Sequence, residues 1–283
     1  MNAALALSLL LAAGARGAQG PPPVPPVMKW EKNLDEALKK ARRTGKPVVV
    51  DFWAEWCDWC HRLERTTYAD PGVVRKAQDF VAVRVDTEGS SKEQKVARAY
   101  QVTTLPTILF LSPEGRQLGR VNGFQGPGQF PRTLELVQRV ARRVMSWEET
   151  LTHEPDDPGA LLALGTHLYE QEYPDQAREM LRRAVVNDVE LGVEERRRAR
   201  MLLAIIEHVE RNFAEAEKLL KEALTLPASP EDQPKLLFVL GRTQVSSGRQ
   251  AEGMATFEVI IREFPQSPVA AKARETLSSL RSR

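Results

Sequence analysis

The sequence contains only two cysteines among 283 residues, Cys57 and Cys60. This excludes a fold held together by several disulfide bonds, and there is no second cysteine pair to complete a zinc site. The four histidines (His61, His153, His167 and His208) are scattered along the chain. We therefore expect neither a metal site nor a bound cofactor.

An excess of charge of one sign is also absent. The 40 basic and 38 acidic residues leave a net charge of +2. Because nucleic-acid binding requires a basic surface, we expect no nucleic-acid partner. A hydrophobic fraction of 42% and a charged fraction of 28% are typical of soluble globular proteins, and the length suffices for two modest domains.

No apolar run at the N-terminus is long enough to span a bilayer comfortably. Small residues follow the short run there, which is typical of signal-peptide cleavage, although no Lys or Arg precedes it. We predict a signal peptide over residues 1–18, a proline-rich linker over 19–28, and a protein exported to a bacterial periplasm that is not integral to the membrane after cleavage. The alternatives are an uncleaved membrane anchor and a cytoplasmic protein with a misassigned start.

The two cysteines follow an apolar, β-branched run, Val48–Trp53, that predicts a buried strand. Cys57 then lies where this strand gives way to a helix. In an oxidising compartment Cys57–Cys60 is the only pair able to form a disulfide, which indicates redox chemistry rather than structural bridging. Asp51 lies within the same apolar strand, so we predict a buried functional acid; the alternative is a surface residue at the strand end.

Strands alternate with helices through the first half of the chain, then a hairpin and a closing helix follow. This order predicts a mixed α/β sheet covered on both faces. The predicted helices are 34–45, one opening at Cys57, 70–78, 91–100 and 128–145, and the predicted strands are 48–53, 80–85, 106–111 and 117–121.

The stretch from Val50 to Cys57 resembles the active-site strand of thioredoxins, and Leu105-Pro106-Thr107 resembles their cis-proline loop. Residues 30–130 are closer still to the C-terminal thioredoxin-like domain of the DsbD reductase family. The resemblance implies an α/β thioredoxin fold over 29–145, followed by a connector over 146–157. It also implies that Ala82 replaces a lysine frequent in thioredoxins, if Asp86 is aligned with the family.

A thiolate is the species that attacks a disulfide, and the N-terminus of a helix favours the thiolate of Cys57. Cys57 would thus be the nucleophile and Cys60 the resolving residue. The resemblance further implies that Asp51 lies behind Cys60 and moves its proton, and that Pro106 is cis and faces the sulfurs.

Three further residues are candidates for substrate binding: Trp56, Trp59 and Leu105. For the two tryptophans the alternative is simple packing in the core and at its rim.

The inner dipeptide Asp58-Trp59 departs from the Gly-Pro of ordinary thioredoxins. Because an acidic neighbour raises the pKa of Cys57, we favour a reductant of protein disulfides supplied by an upstream dithiol donor, such as a DsbD-like membrane reductase.

The second half of the chain is self-similar. The small residues Ala177, Ala216 and Gly253 lie 39 and 37 positions apart. The segment 158–283 resembles an all-α array of three tetratricopeptide (TPR) helix hairpins, with Pro268–Leu280 as a capping helix. Such arrays bind proteins or peptides on their concave face; the alternative is that the repeats only extend or dimerise the protein.

Two functions remain open from the sequence. The first is an exported thiol–disulfide oxidoreductase whose repeats dock partner proteins. The second is a non-catalytic scaffold or co-chaperone that uses its thioredoxin fold and repeats only for binding. Retention of Cys57, Cys60, Asp51 and Pro106 favours the first.

Overall fold

The structure is a computed structural model that describes residues 27–227 and 231–282. The predicted signal peptide and most of the predicted linker lie outside these residues. The described chain forms an α/β domain followed by an all-α array of helix hairpins, as predicted.

The α/β domain contains a five-stranded sheet in the order β1-β3-β2-β4-β5. β3 is parallel to β1 and β2, whereas β4 is antiparallel to both β2 and β5. The strands are β1 (Trp30–Glu31), β2 (Val48–Trp53), β3 (Val81–Asp86), β4 (Thr107–Leu111) and β5 (Gln117–Asn122). The helices are α1 (Leu34–Thr44), α2 (Asp58–Thr66), α3 (Pro71–Ala77), α4 (Ser91–Ala99) and α5 (Phe130–His153).

Alternation along β2 divides the core of this domain between the two faces of the sheet. Val48, Val50 and Phe52 are fully buried in a cluster with residues of α1 and α4. Val49 faces the other way and belongs to a cluster that includes Leu63 of α2. Asp51 follows the same alternation as Val49, so it lies on the face of the sheet that α2 covers.

The array consists of three hairpins and a final helix. The pairs are α6 (Pro158–Glu170) with α7 (Pro174–Val186), α8 (Val193–Val209) with α9 (Phe213–Thr225) and α10 (Gln233–Ser246) with α11 (Gln250–Glu263); α12 (Pro268–Arg281) packs on α11. Small residues lie where paired helices cross. A Cβ on Gly165 would lie 2.9 Å from Leu181 Cγ, and one on Gly241 would lie 2.7 Å from a ring carbon of Phe257.

The end predicted for the closing helix, near Met145, is wrong, because α5 continues to His153. The added turns are amphipathic: Trp147 and Leu151 pack on the apolar cluster, and Glu148 is buried. Part of the predicted connector is therefore helix, and only a short turn separates α5 from α6. The division of the chain into domains stays a prediction.

Polar contacts join the two parts at one end of the sheet. The backbone carbonyl of Gln117 lies 2.8 Å from His167 Nε2, and its side-chain oxygen accepts a hydrogen bond from Tyr173 at 3.0 Å. Glu148 accepts hydrogen bonds from Ser112 and Arg116, each at 2.8 Å. A single apolar cluster runs from the α/β domain through the first two hairpins to α10, so the parts share a core.

Candidate active site

The two cysteines form a disulfide at the start of α2. Cys57 is the N-cap residue of that helix, and its Sγ accepts a hydrogen bond from the backbone N–H of Cys60 at 3.2 Å. The S–S distance is 2.08 Å and the two Cα atoms are 5.2 Å apart. Only 3% of Cys57 is exposed and none of Cys60, so Cys57 is the more accessible of the two residues.

Local structure explains this placement. β2 ends at Trp53, and the backbone N–H of Cys57 donates to the carbonyl of Ala54 at 3.1 Å, which turns the chain into α2. The unpaired N–H groups in the first turn of a helix favour negative charge. Once the disulfide is reduced, these groups stabilise a thiolate on Cys57.

Asp51 is completely buried in the middle of the sheet, which confirms its predicted burial. Burial raises the pKa of Asp51 to about 6, whereas the neighbouring Arg84 and Tyr68 favour the ionised form. Arg84 Nε donates to Asp51 Oδ2 at 3.1 Å, because the two residues are paired in register on neighbouring strands. The carboxyl can therefore change protonation state close to neutral pH.

Arg84 also connects Asp51 to the helix that carries the cysteines. Its Nη1 donates to Glu64 Oε1 at 2.9 Å, and Glu64 lies four residues after Cys60 on α2. Residues four apart share one face of a helix, so Cys60 and Glu64 face the same side. The network thus places Asp51 under the face of α2 that contains Cys60.

Arg84 is the main site residue that sequence reasoning missed. Ala82 carries no charge where thioredoxins often have a lysine, and Arg84, two residues further along the strand, places a positive charge beside Asp51. Its guanidinium lies 4.4 Å from the centre of the Trp53 ring and 5.7 Å from that of Trp30, which helps hold it in place. In the sequence, this role was indicated only by the presence of one arginine, Arg84, within the apolar strand β3.

The Leu105–Pro106 peptide bond is cis, as the resemblance implied. The carbonyl of Pro106 accepts a hydrogen bond from Gly123 at 2.7 Å, which fixes this loop to the end of β5. Leu105 is half-buried and packs against the apolar cluster on the α1 side of the sheet.

Trp56 and Trp59 are not core residues, because 65% and 52% of them are exposed. Trp56 Nε1 donates to Glu88 at 2.7 Å. The Trp59 ring lies 5.5 Å from that of Phe124. Both tryptophans thus lie on the surface around the disulfide, where a substrate can contact them; that they bind one stays a prediction.

Within residues 27–227 and 231–282, no group of three or more His, Cys, Asp or Glu side chains is arranged to hold a metal ion. In the same part of the chain, no helix has the length and apolar character needed to cross a membrane.

Comparison with known proteins identifies both parts of the chain. A family model for a thioredoxin-like domain matches residues 34–138, and one for a tetratricopeptide repeat matches residues 162–233. The chain therefore contains a thioredoxin-like domain followed by tetratricopeptide repeats, as the sequence patterns predicted.

Individual curated relatives match this chain over little more than a third of its length. The thiol:disulfide interchange protein DsbD of Vibrio vulnificus is 34% identical over 113 residues, which are 39% of this chain and 18% of that protein. DsbD of Klebsiella pneumoniae is 37% identical over 100 residues, covering 34% and 16% of the two chains. This chain thus spans less than a fifth of the length of these curated relatives. Among solved structures, a thioredoxin from Thermus thermophilus matches with 30% identity and a TM-score of 0.37, covering 40% of this chain and 89% of that one.

Proposed function

We propose that this chain, a thioredoxin-like domain followed by tetratricopeptide repeats, is a thiol–disulfide oxidoreductase that reduces disulfide bonds in partner proteins. One arrangement carries the proposal: a Cys57–Cys60 disulfide at a helix N-terminus, with the buried Asp51 on the strand that leads to it and the cis-Pro106 loop at the start of the neighbouring strand. The curated relatives that match this part of the chain are named thiol:disulfide interchange proteins.

The reaction begins from the dithiol form. The Cys57 thiolate attacks one sulfur of the partner disulfide, and the other partner sulfur leaves as a thiolate. The Cys60 thiolate then attacks Cys57 in the mixed disulfide, which releases the second partner thiolate and forms the Cys57–Cys60 bond. Two electrons pass to the partner.

Asp51 has the properties of the group that takes the proton from Cys60. A carboxyl with a pKa of about 6 is ionised often enough near pH 7 to accept a proton, and basic enough to hold it. Arg84 keeps this buried carboxylate from remaining unpaired. The cis-Pro106 loop offers backbone groups that pair with an extended partner segment, and Leu105, Trp56 and Trp59 contribute side chains to partner binding.

The proposal includes a source of electrons and a location. Each turnover leaves a disulfide on this chain, so a dithiol protein must reduce it again; the similarity to DsbD supports a donor of that kind. The apolar N-terminal stretch supports export to a periplasm. The repeats dock protein partners, as arrays of this type commonly do.

A resolving-cysteine variant tests the proposal. Cys60→Ser should trap partners on Cys57 as mixed disulfides that dithiothreitol releases, whereas a Cys57→Ser, Cys60→Ser variant should trap none. The wild type should also reduce insulin disulfides. If no such adducts accumulate and insulin is not reduced, the catalytic proposal is wrong.

The scaffold alternative makes the opposite prediction. A Cys57→Ala, Cys60→Ala variant that fully restores the phenotype of a deletion strain would favour it. The direction of electron flow is tested by the reduction potential of the pair. A value near the roughly −270 mV of thioredoxin supports a reductant, and one near the roughly −120 mV of DsbA overturns that direction.

A further inference from the structure

One arginine beside the disulfide has an unusual environment. The Arg62 guanidinium carbon lies 5.1 Å from the centre of the Trp59 ring and 5.1 Å from that of the Phe124 ring. Trp59 is the residue before Cys60, and Phe124 follows β5 at the same end of the sheet. We call these three residues the Arg62 shelf.

The charge of Arg62 is not neutralised within the described chain. Its side chain makes no ion pair or hydrogen bond with residues 27–227 or 231–282, although it is an exposed residue of α2. Asp58 lies four residues earlier on this helix, a spacing that commonly gives an ion pair, yet the guanidinium packs on the aromatic rings instead. By contrast, Arg84 of β3, which lies between the sheet and α2, forms ion pairs with both Asp51 and Glu64.

Stacking prepares an arginine to bind an anion. A guanidinium on aromatic faces is restricted in conformation while its edge N–H groups remain available, and their planar arrangement matches a carboxylate. Because the side chain is already held, less conformational entropy is lost when a partner binds.

The exposed charged residues nearest to Cys57 in the chain, Glu55 and Asp58, are negative, as is Glu88 beside Trp56. Glu55 and Glu88 are exposed, and Glu88 holds the Trp56 ring next to β3, on the other side of β2 from Phe124. Asp58 is also exposed, but it lies one turn before Arg62 on α2 and offsets part of the attraction of the shelf for an anion. A partner with an acidic residue is therefore repelled from the Trp56 side and attracted to the Arg62 side.

We propose that the Arg62 shelf binds an aspartate or glutamate located within a few residues of the reacting cysteine of the partner protein. This inference rests on the proposed function and adds a preference among its substrates. Trp59 and Phe124 position the guanidinium, and Arg62 supplies the contact.

Peptide disulfides test the preference. The substrates are disulfide-linked dimers of a single-cysteine peptide, with one aspartate placed either two residues or eight residues from the cysteine, so that net charge is equal. The protein is reduced with dithiothreitol, freed of it, and mixed with each dimer; every dimer reduced gives two peptide thiols and one Cys57–Cys60 disulfide. Initial rates for both peptides are measured for the wild type and each variant.

The ratio of near-aspartate to far-aspartate rates is compared between proteins, which cancels any effect of the aspartate on the peptide sulfur itself. We expect this ratio to fall about three- to fivefold in Arg62→Glu, the size expected for one exposed ion pair, and less in Arg62→Lys. Arg65→Glu makes the same charge change on α2 away from the aromatic rings and should keep the wild-type ratio.

Each other result has a definite meaning. An unchanged ratio in Arg62→Glu, with normal reduction of the far-aspartate peptide, overturns the preference and leaves the proposed function intact. An equal fall in Arg65→Glu shows general charge attraction and also overturns it. If the wild type reduces neither peptide, the proposed function fails and the preference fails with it.

Discussion

At the residue scale, Arg84 allows the buried carboxyl of Asp51 to carry a charge. An isolated carboxylate in this core would be strongly unfavourable. Arg84 offsets part of that cost, and burial still leaves the pKa of Asp51 raised to about 6. The residue therefore lies between a permanently ionised and a permanently neutral acid, as a proton-transfer group requires.

Asp51 should make the stability of the protein depend on pH. Its pKa in the folded protein is about 6, above the usual 3.8, so the folded state binds the proton more tightly. This contribution to the free energy of unfolding is fully present below about pH 4 and is lost as the pH rises through 6. In urea unfolding of the oxidised protein between pH 4 and 8, the wild type should lose stability relative to Asp51→Asn over that interval. A constant difference between the two proteins would contradict the shifted pKa.

Arg84 should influence the pKa at which Asp51 titrates. Without its charge the pKa of Asp51 is expected to rise by a further one unit or so, because an opposite charge nearby lowers a carboxyl pKa by about 1–3 units. In Arg84→Gln the pH dependence of disulfide reduction should move to higher pH. Arg84→Lys keeps the charge and is the matched control. If Arg84→Gln retains the wild-type pH profile, Arg84 does not act through Asp51.

Sequence and structure agree on the residues whose chemistry is indicated by their neighbours in the chain. Cys57, Cys60, Asp51 and Pro106 stand in recognisable motifs. The pairing of the two cysteines, the burial of Asp51 and the cis bond before Pro106 were predicted. Arg84 was missed because its role depends on strand register, which sequence alone does not specify.

At the scale of elements, small residues set how closely the helices of the array approach. A Cβ on Gly253 would lie 2.5 Å from Val245 Cγ2 and 2.7 Å from the backbone oxygen of Gly241. A side chain can sometimes rotate away from such a contact, whereas the backbone of α10 cannot move without shifting the helix. The regular spacing of small residues in the sequence therefore reflects the close approach of paired helices.

Gly253→Ala should therefore destabilise the protein. Overpacking a tight contact costs about 1–3 kcal/mol, and relief here requires α10 and α11 to separate. Chemical unfolding followed by circular dichroism measures the loss. Gly128→Ala is the matched control, since its Cβ would meet nothing within 4 Å, and we expect a change within about 0.5 kcal/mol. Equal stability of Gly253→Ala and the wild type would show that the helices tolerate a wider crossing.

The sequence predicted most elements correctly but not the end of α5. Helix content was indicated by apolar spacing, whereas residues beyond Met145 include several polar side chains and suggested a connector. Glu148 explains the difference, because it is polar yet buried by its contacts with Ser112 and Arg116. A buried polar residue with distant partners cannot be told from a solvent-exposed one by sequence spacing.

At the scale of the whole molecule, the repeats join the sheet far from the disulfide. Gln117 contacts α6 and is paired with Leu111, which in turn is paired with Val48 at the start of β2. Cys57 follows the other end of β2, and a strand of that length spans about 20 Å. The first hairpin is therefore attached away from Cys57 and Cys60. Under the proposed function, a partner that docks on this hairpin would need a segment separate from its reactive disulfide.

The shared core at this junction should make the two parts unfold together. All five tryptophans lie between Trp30 and Trp147, so tryptophan fluorescence reports the thioredoxin-like domain and the junction, whereas far-ultraviolet circular dichroism is dominated by the helices of the repeats. In urea the two signals should give the same midpoint. Two separate midpoints in the wild type would show that the contacts at Gln117 and Glu148 do not couple the parts.

Glu148→Ala tests the cause of that coupling. The change removes the acceptor for Ser112 and Arg116, and a buried partner left unpaired costs about 1–3 kcal/mol. The fluorescence midpoint should fall more than the circular dichroism midpoint, because the repeats keep their own hairpin contacts. Glu149→Ala, at the exposed neighbouring position, should change neither midpoint. Equal falls in both signals would mean that the array depends on the thioredoxin-like domain for its own folding, and the junction would then be a structural requirement of the repeats as well as their attachment.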